Sequence, residues 1–169
     1  MVDVSAKPPT VRRAVAEAEV ALSQETLSLV IDGAVSKGDV FTVAEIAGVM
    51  AGKRTSELIP LCHPIEITDL VVEVMPDRPA GALRIRATAA TVAQTGVEME
   101  ALTAASVAAL TVYDMVKGVE RGAEVRRLRL LEKSGGRSGE WRSTATDEPS
   151  PGPPRPGIRG PRRARRDTR

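Results

Sequence analysis

The longest helical pattern in the chain runs from Val97 to Val119, and it constrains the fold more than any other segment. Leu102, Ala105, Ala109, Val112 and Val116 recur at three- and four-residue spacing, which places them on one stripe of a helix. Most helical stability comes from covering such a stripe rather than from intrinsic propensity, so a second layer must lie against it. The small residues of the stripe allow that layer to come close. Aromatic rings cannot supply it, because the 169 residues include one Phe, one Tyr and one Trp. The core must be built from Val, Leu, Ile and Ala, in a chain long enough for one domain.

The rest of the pattern supplies the covering layer. Residues 12–22 alternate with a period of two and read as a strand. Ser23 reads as the N-cap of a short helix to Asp32, ended by Gly33. A second helix is expected over Thr42–Leu58, opened by the capping-box spacing Thr42-Val-Ala-Glu45, with Ile46, Val49 and Met50 on one face and Pro60 as the stop. Ile67–Met75 and Leu83–Val92 read as strands joined by the turn Pro76–Gly81, and Val125–Leu131 as a last strand. The order is strand, two helices, strand, strand, helix, strand. Counting the early helices as one crossover gives the split βαβ pattern. The expected class is α+β and ferredoxin-like: a four-stranded antiparallel sheet with the helices packed on one face, over residues 1–143, preceded by an extended arm.

Residues 145–169 hold seven Arg against three acidic residues, with six Pro, so 144–169 is expected to be a disordered tail. Without it the chain carries 17 basic and 19 acidic residues, so its basic character belongs to the tail. Nonspecific contact with polyanions follows from such charge, and no specific nucleic acid is implied. A single cysteine excludes an internal disulfide and points to a reducing compartment. No apolar stretch reads as a signal peptide or membrane span, so the expected location is the cytoplasm, with no membrane partner.

His63 is the only histidine, and Pro60 and Pro64 restrict the backbone around it. Other polar groups gather at element ends. Lys37 precedes the second helix, Lys53 and Arg54 lie near its end, and Glu98, Met99 and Glu100 open the long helix. Asp114 and Lys117 close that helix, and Lys133 precedes the loop Ser134–Gly139. Each also has a structural reading. Thr95-Gly-Val-Glu98 has capping-box spacing, Glu100 and Lys117 suit the helix dipole, and Asp114 with Lys117 forms an i, i+3 pair. Cys62 reads as a small buried hydrophobe. One His and one Cys do not make a metal ligand set. Lys133–Gly139 lacks Walker spacing, although backbone amides of such a loop can bind an anion. Glu100 and Asp114 lie ~21 Å apart along a helix axis. Either one of them is functional, or each site takes residues from two subunits.

Six stretches together carry a resemblance. They are Met1–Lys7, Lys37-Gly-Asp39, Leu58–Pro64, Thr95–Ser106, Tyr113–Lys117 and Lys133–Gly139. In this order they resemble the cyclic pyranopterin monophosphate synthase family of molybdenum cofactor biosynthesis. The resemblance covers about residues 1–143. It implies a lyase that converts 3′,8-cyclo-7,8-dihydroguanosine 5′-triphosphate to cyclic pyranopterin monophosphate and pyrophosphate. It also implies a homohexamer, a trimer of dimers with sites at subunit interfaces, fed by a radical enzyme and using no metal or organic cofactor. Asp114 then matches the general acid/base, with Lys117 and Lys37 as catalytic lysines. Leu61, Cys62, His63, Met99 and Glu100 match substrate contacts. Glu98, Lys53 and Lys133 are further candidates, and Arg12 or Arg13 is expected to reach a neighbouring site. Converging cations are expected to depress the pKa of Lys37 or Lys117. Two alternatives remain: a nucleic-acid-binding module on the sheet, which needs aromatic pairs on strands, and a regulatory nucleotide binder without turnover.

Overall fold

The computed structural model describes residues 1–144; residues 145–169 of the expected tail lie outside the described residues. The elements are β1 (Thr10–Ala21), α1 (Gln24–Ile31), α2 (Val40–Gly52), α3 (Thr55–Leu58), β2 (Asp69–Asp77), β3 (Ala82–Ala93), α4 (Glu98–Val116), β4 (Glu124–Ser134) and β5 (Trp141–Arg142). The sheet order is β2-β3-β1-β4-β5, with every pairing antiparallel. Its first four strands have the ferredoxin-like arrangement. The fifth strand corrects the expected count: two residues after the glycine loop fold back so that Trp141 faces Lys133. A two-residue strand carries no alternation for a sequence reading to find.

Helix α4 lies across β1, β3 and β4, and α2 lies beside it over β2, on one layer. Alternation on β1 turns Ala14, Ala16, Ala18 and Val20 toward the helices, and all four are buried. On β3 the matching residues are Leu83, Ile85, Ala87 and Ala89. They meet Ala101, Ala104, Ala105, Ala108, Ala109, Val112 and Val116 of α4 in one core. The stripe expected on α4 is therefore real and broader than its sequence spacing suggested. Helix α4 is long and apolar enough to cross a membrane by length and composition alone, but more than half of it is buried in this core, so the reading of no membrane span stands.

Helix α2 departs from expectation in four ways. It begins earlier, at an N-cap supplied by Asp39, whose carboxylate accepts from the Thr42 backbone N–H at 3.2 Å and from its hydroxyl at 2.6 Å. Glu45 closes no capping box: it accepts from the Val74 N–H of edge strand β2 at 3.1 Å. The helix also breaks after Gly52, where the buried Thr55 hydroxyl takes the Gly52 carbonyl at 2.8 Å. Its buried face is Val40, Ala44, Gly48 and Ala51, while Ile46 and Met50 are 55% and 53% exposed. The apolar face named in the sequence analysis points outward, and only Val49 of that trio packs against the core. Close approach decides the orientation: a Cβ on Gly48 would sit 2.9 Å from the Ala104 carbonyl oxygen of α4. Only the small face of α2 fits there.

The far side of the sheet carries ion pairs, including Glu17–Arg129 at 2.7 Å and Arg84–Asp77 at 2.7 Å. Register shifts interrupt the β1–β4 pairing, and Arg127 has φ of 53° within one of them. This bulge breaks the simple alternation expected for the last strand.

Candidate active site

The candidate residues fall into two groups at opposite ends of α4. The first is built on the last turn. Asp114 projects from α4, Lys117 follows as its C-cap residue, and Lys37 arrives on the loop between α1 and α2. Gly38, at φ of 99°, lets that loop turn back, and its N–H bonds the Val35 carbonyl at 3.0 Å. Lys37 Nζ lies 2.7 Å from Asp114 Oδ2 and donates to the Asp114 carbonyl at 2.6 Å. Lys117 Nζ lies 2.6 Å from Asp114 Oδ1. One carboxylate thus bridges two ammonium groups, using both oxygens.

These contacts set the protonation. Hydrogen bonds from Lys117 and then Lys37 hold the Asp114 carboxyl down at about 2. The same bond to Asp114 raises the Lys117 ammonium above its ordinary range. The depressed Lys117 expected from converging cations is therefore overturned, because the nearest charge is a carboxylate rather than another cation. All three side chains remain about half exposed. The cluster resembles a binding face awaiting a cover more than a closed pocket.

The second group surrounds the first turn of α4. Glu100 is 2% exposed, and its Oε1 accepts from the Cys62 thiol at 3.7 Å. Its Oε2 is shut from solvent with no hydrogen-bond partner among the described residues. Burial raises the Glu100 pKa, and burial followed by the Glu100 charge raises the Cys62 thiol. Cys62 stays a thiol near neutrality and is a donor rather than a nucleophile. Val97 caps α4 without a side-chain bond, so the expected capping role of Glu98 does not occur. Glu98 instead lies 3.5 Å from Lys133 Nζ. Met99 is half-buried beside it, Leu61 is exposed, and Lys53 is exposed at the end of α2.

Arg12 is held near this end by two carbonyls, Ala93 at 2.9 Å from Nε and Gln94 at 3.1 Å from Nη2. Arg13 points elsewhere and pairs with Glu132 at 2.5 Å. His63 lines a cavity of about 310 Å³ together with Val4, Pro9, Ile65, Glu66 and Gln94. Sequence reasoning assigned no role to Asp3, although the motif Met1–Lys7 contained it. The Ser5 backbone N–H and hydroxyl hold its carboxyl below the usual range, with a smaller pull from His63.

Among the described residues no group of three or more His, Cys, Asp or Glu is placed to hold a metal ion. Phe41 and Tyr113 lie in helices and Trp141 on the short β5, so the sheet presents no aromatic pair for stacking bases.

A family model described as the MoaC family matches residues 1–136. The chain is 55% identical over 141 residues to the cyclic pyranopterin monophosphate synthase of Brucella ovis, covering 83% of this chain and 86% of that protein. It is 58% identical over 142 residues to the enzyme of the same name from Thermomicrobium roseum, covering 84% of this chain and 86% of that protein.

Proposed function

This chain belongs to the MoaC family, and we propose that Asp114, Lys117 and Lys37 are the groups through which it works. Its activity is cyclic pyranopterin monophosphate synthesis in molybdenum cofactor biosynthesis, on a GTP-derived substrate. The substrate in this reading is 3′,8-cyclo-7,8-dihydroguanosine 5′-triphosphate, supplied by a radical enzyme. Closing its cyclic phosphate requires a hydroxyl oxygen to bond the α-phosphorus while the bond to the β-phosphate oxygen breaks. Pyrophosphate leaves with the negative charge. Two ammonium groups fixed by one carboxylate are suited to meeting that charge.

The observation that carries the reading is the arrival of Lys37 on Asp114 from 77 residues away, opposite Lys117. At neutral pH Asp114 is the carboxylate that aims both lysines. Lys117, raised by that carboxylate, is the proton donor during opening of the purine-derived ring. The proton given up by the attacking hydroxyl returns to Lys117 through Lys37, while Asp114 stays ionised.

Leu61, Cys62, His63, Glu98, Met99, Glu100, Lys53, Lys133 and Arg12 are the substrate contacts of this reading. Glu100 sits in the first turn of α4 and Asp114 in the last, ~21 Å apart along the axis. A complete site therefore joins the first-turn group of one subunit to the last-turn group of another. A homohexamer in the cytoplasm provides such junctions. The exposed Val43, Ile46 and Met50 on α2 support subunit contact, and a lone cysteine suits a reducing compartment. Residues 1–143 form the catalytic unit, and the tail has no catalytic part.

Purified protein incubated with the cyclised GTP-derived precursor should release pyrophosphate and the pterin product in equal amounts. A folded oligomer that releases neither would sink the assignment.

A further inference from the structure

Lys117 lies on a segment that packing alone does not hold. Helix α4 is buried as far as Val116, and burial resumes at Ala123, just before β4. Between them Lys117, Gly118, Val119, Arg121 and Gly122 are exposed. The fold demands neither glycine: a Cβ at Gly118 or Gly122 would meet no atom within 4 Å, and neither has a positive φ. Glycines of this kind widen the range of conformations open to the backbone. Something other than packing must therefore fix the segment.

The half-buried Glu120 supplies that hold. Its carboxylate accepts from the Ser23 backbone N–H on both oxygens, at 3.1 Å for Oε1 and 3.0 Å for Oε2. Oε2 also accepts from the Ser23 hydroxyl at 2.9 Å. Burial alone would raise the Glu120 pKa, but bonds from Thr26 and Ser23 outweigh it and keep the carboxyl below its ordinary range. The tie is thus charged at neutral pH. Its other end is firm. Ser23 caps α1, whose Thr26, Leu27 and Val30 are buried, and the Leu22 N–H bonds the Gly81 carbonyl at 2.8 Å. A longer bond, from the Tyr113 hydroxyl to the Arg121 carbonyl at 3.3 Å, joins the same segment to α4.

The two sides of this clamp carry the two lysines. Lys117 stands just before Glu120, and Lys37 lies on the loop that leaves α1. They meet opposite oxygens of Asp114. Exposed ion pairs contribute too little to hold long side chains in one geometry, so the backbones beneath them must be fixed by other contacts.

We propose that Glu120 is a positioning residue: by clamping the segment after α4 to Ser23, it keeps Lys117 and Lys37 aimed together at Asp114. It acts only through those two lysines. The proposal rests on the synthase reading for which groups do the chemistry, while the clamp itself can be read without turnover.

Amine labelling of the full chain with a succinimidyl ester, followed by mass spectrometry, tests the clamp. A lysine held on a carboxylate is a poor nucleophile, so Lys117 and Lys37 should label severalfold faster in Glu120→Ala, while Lys53 at the end of α2 keeps its rate. In turnover, kcat should fall by about tenfold or more with KM within about twofold of wild type, because misaimed groups cost rate rather than binding. Gly118→Ala, which stiffens the segment in open space, should restore part of that kcat. If Glu120→Ala does not fold by circular dichroism, Glu120→Gln, of the same size and still able to accept one bond, takes its place. Unchanged labelling in the folded variant, with or without a lower Tm, would overturn the clamp. Faster labelling with undiminished kcat would overturn its part in the reaction. A wild-type chain that makes no pterin product, yet whose lysines are freed in the variant, loses the synthase reading and keeps the clamp.

Discussion

In the proposed mechanism Asp114 acts while ionised. Its folded pKa of about 2 lies below the ordinary 3.8, so its pairing with the lysines is complete above pH 3.8 and is lost as pH falls toward 2. Exposed pairs of this kind add little to stability, so the effect belongs in activity. Asp114→Asn should lower turnover by about 100-fold or more with little change in Tm, measured by pyrophosphate release and thermal melting. Lys37→Ala should abolish activity while fold and assembly persist. Glu100 has the opposite sign. Burial raises its folded pKa, so its contribution is most favourable below the ordinary 4.5 and declines as pH rises through the folded value. Glu100→Gln should therefore raise Tm at neutral pH by a few degrees, about 2–8 °C, and lose that advantage near pH 4, read in melting curves across the range. The residue types and positions of both groups were legible in the chain. The partner of each was not. Lys37 and Asp114 stand 77 residues apart, and no local spacing joins them.

At the scale of elements, periodicity was a sound guide wherever one face alone was apolar. It located α4, the β2–β3 hairpin and β1 to within a few residues. Helix α2 defeated it because α2 is apolar around most of its circumference. The larger residues Ile46 and Met50 suggested an inner face, yet the approach of Gly48 to Ala104 turned them outward. Gly48→Leu should cost about 1–3 kcal/mol through overpacking, visible as a lower urea midpoint. Met50→Ser should leave the unfolding of the subunit itself nearly unchanged. The early end of α2 was likewise hidden. Thr55 reads as an ordinary helix residue until its hydroxyl is seen on the Gly52 carbonyl.

For the whole molecule, the separation of the two groups along α4 makes a direct prediction. Subunits carrying Lys37→Ala and subunits carrying His63→Ala should each be inactive alone. Unfolded and reassembled together at random, they should recover about a quarter of wild-type activity, because one junction in four then pairs two intact halves. No recovery in mixed oligomers would place both groups in a single subunit. Ile46→Lys with Met50→Lys should lower the assembly mass in light scattering, by placing charge on an apolar contact. Removal of residues 144–169 should leave turnover unchanged. By itself the sequence determined the element order, the family motifs and the stock of titratable side chains, because these depend on local spacing and residue type. The tertiary structure alone decided which face of α2 is covered, which lysine meets Asp114 and that the Glu100 carboxyl is shut from water. Packing distance and burial arise between segments remote in the chain, and they set both the orientation and the protonation of the candidate groups.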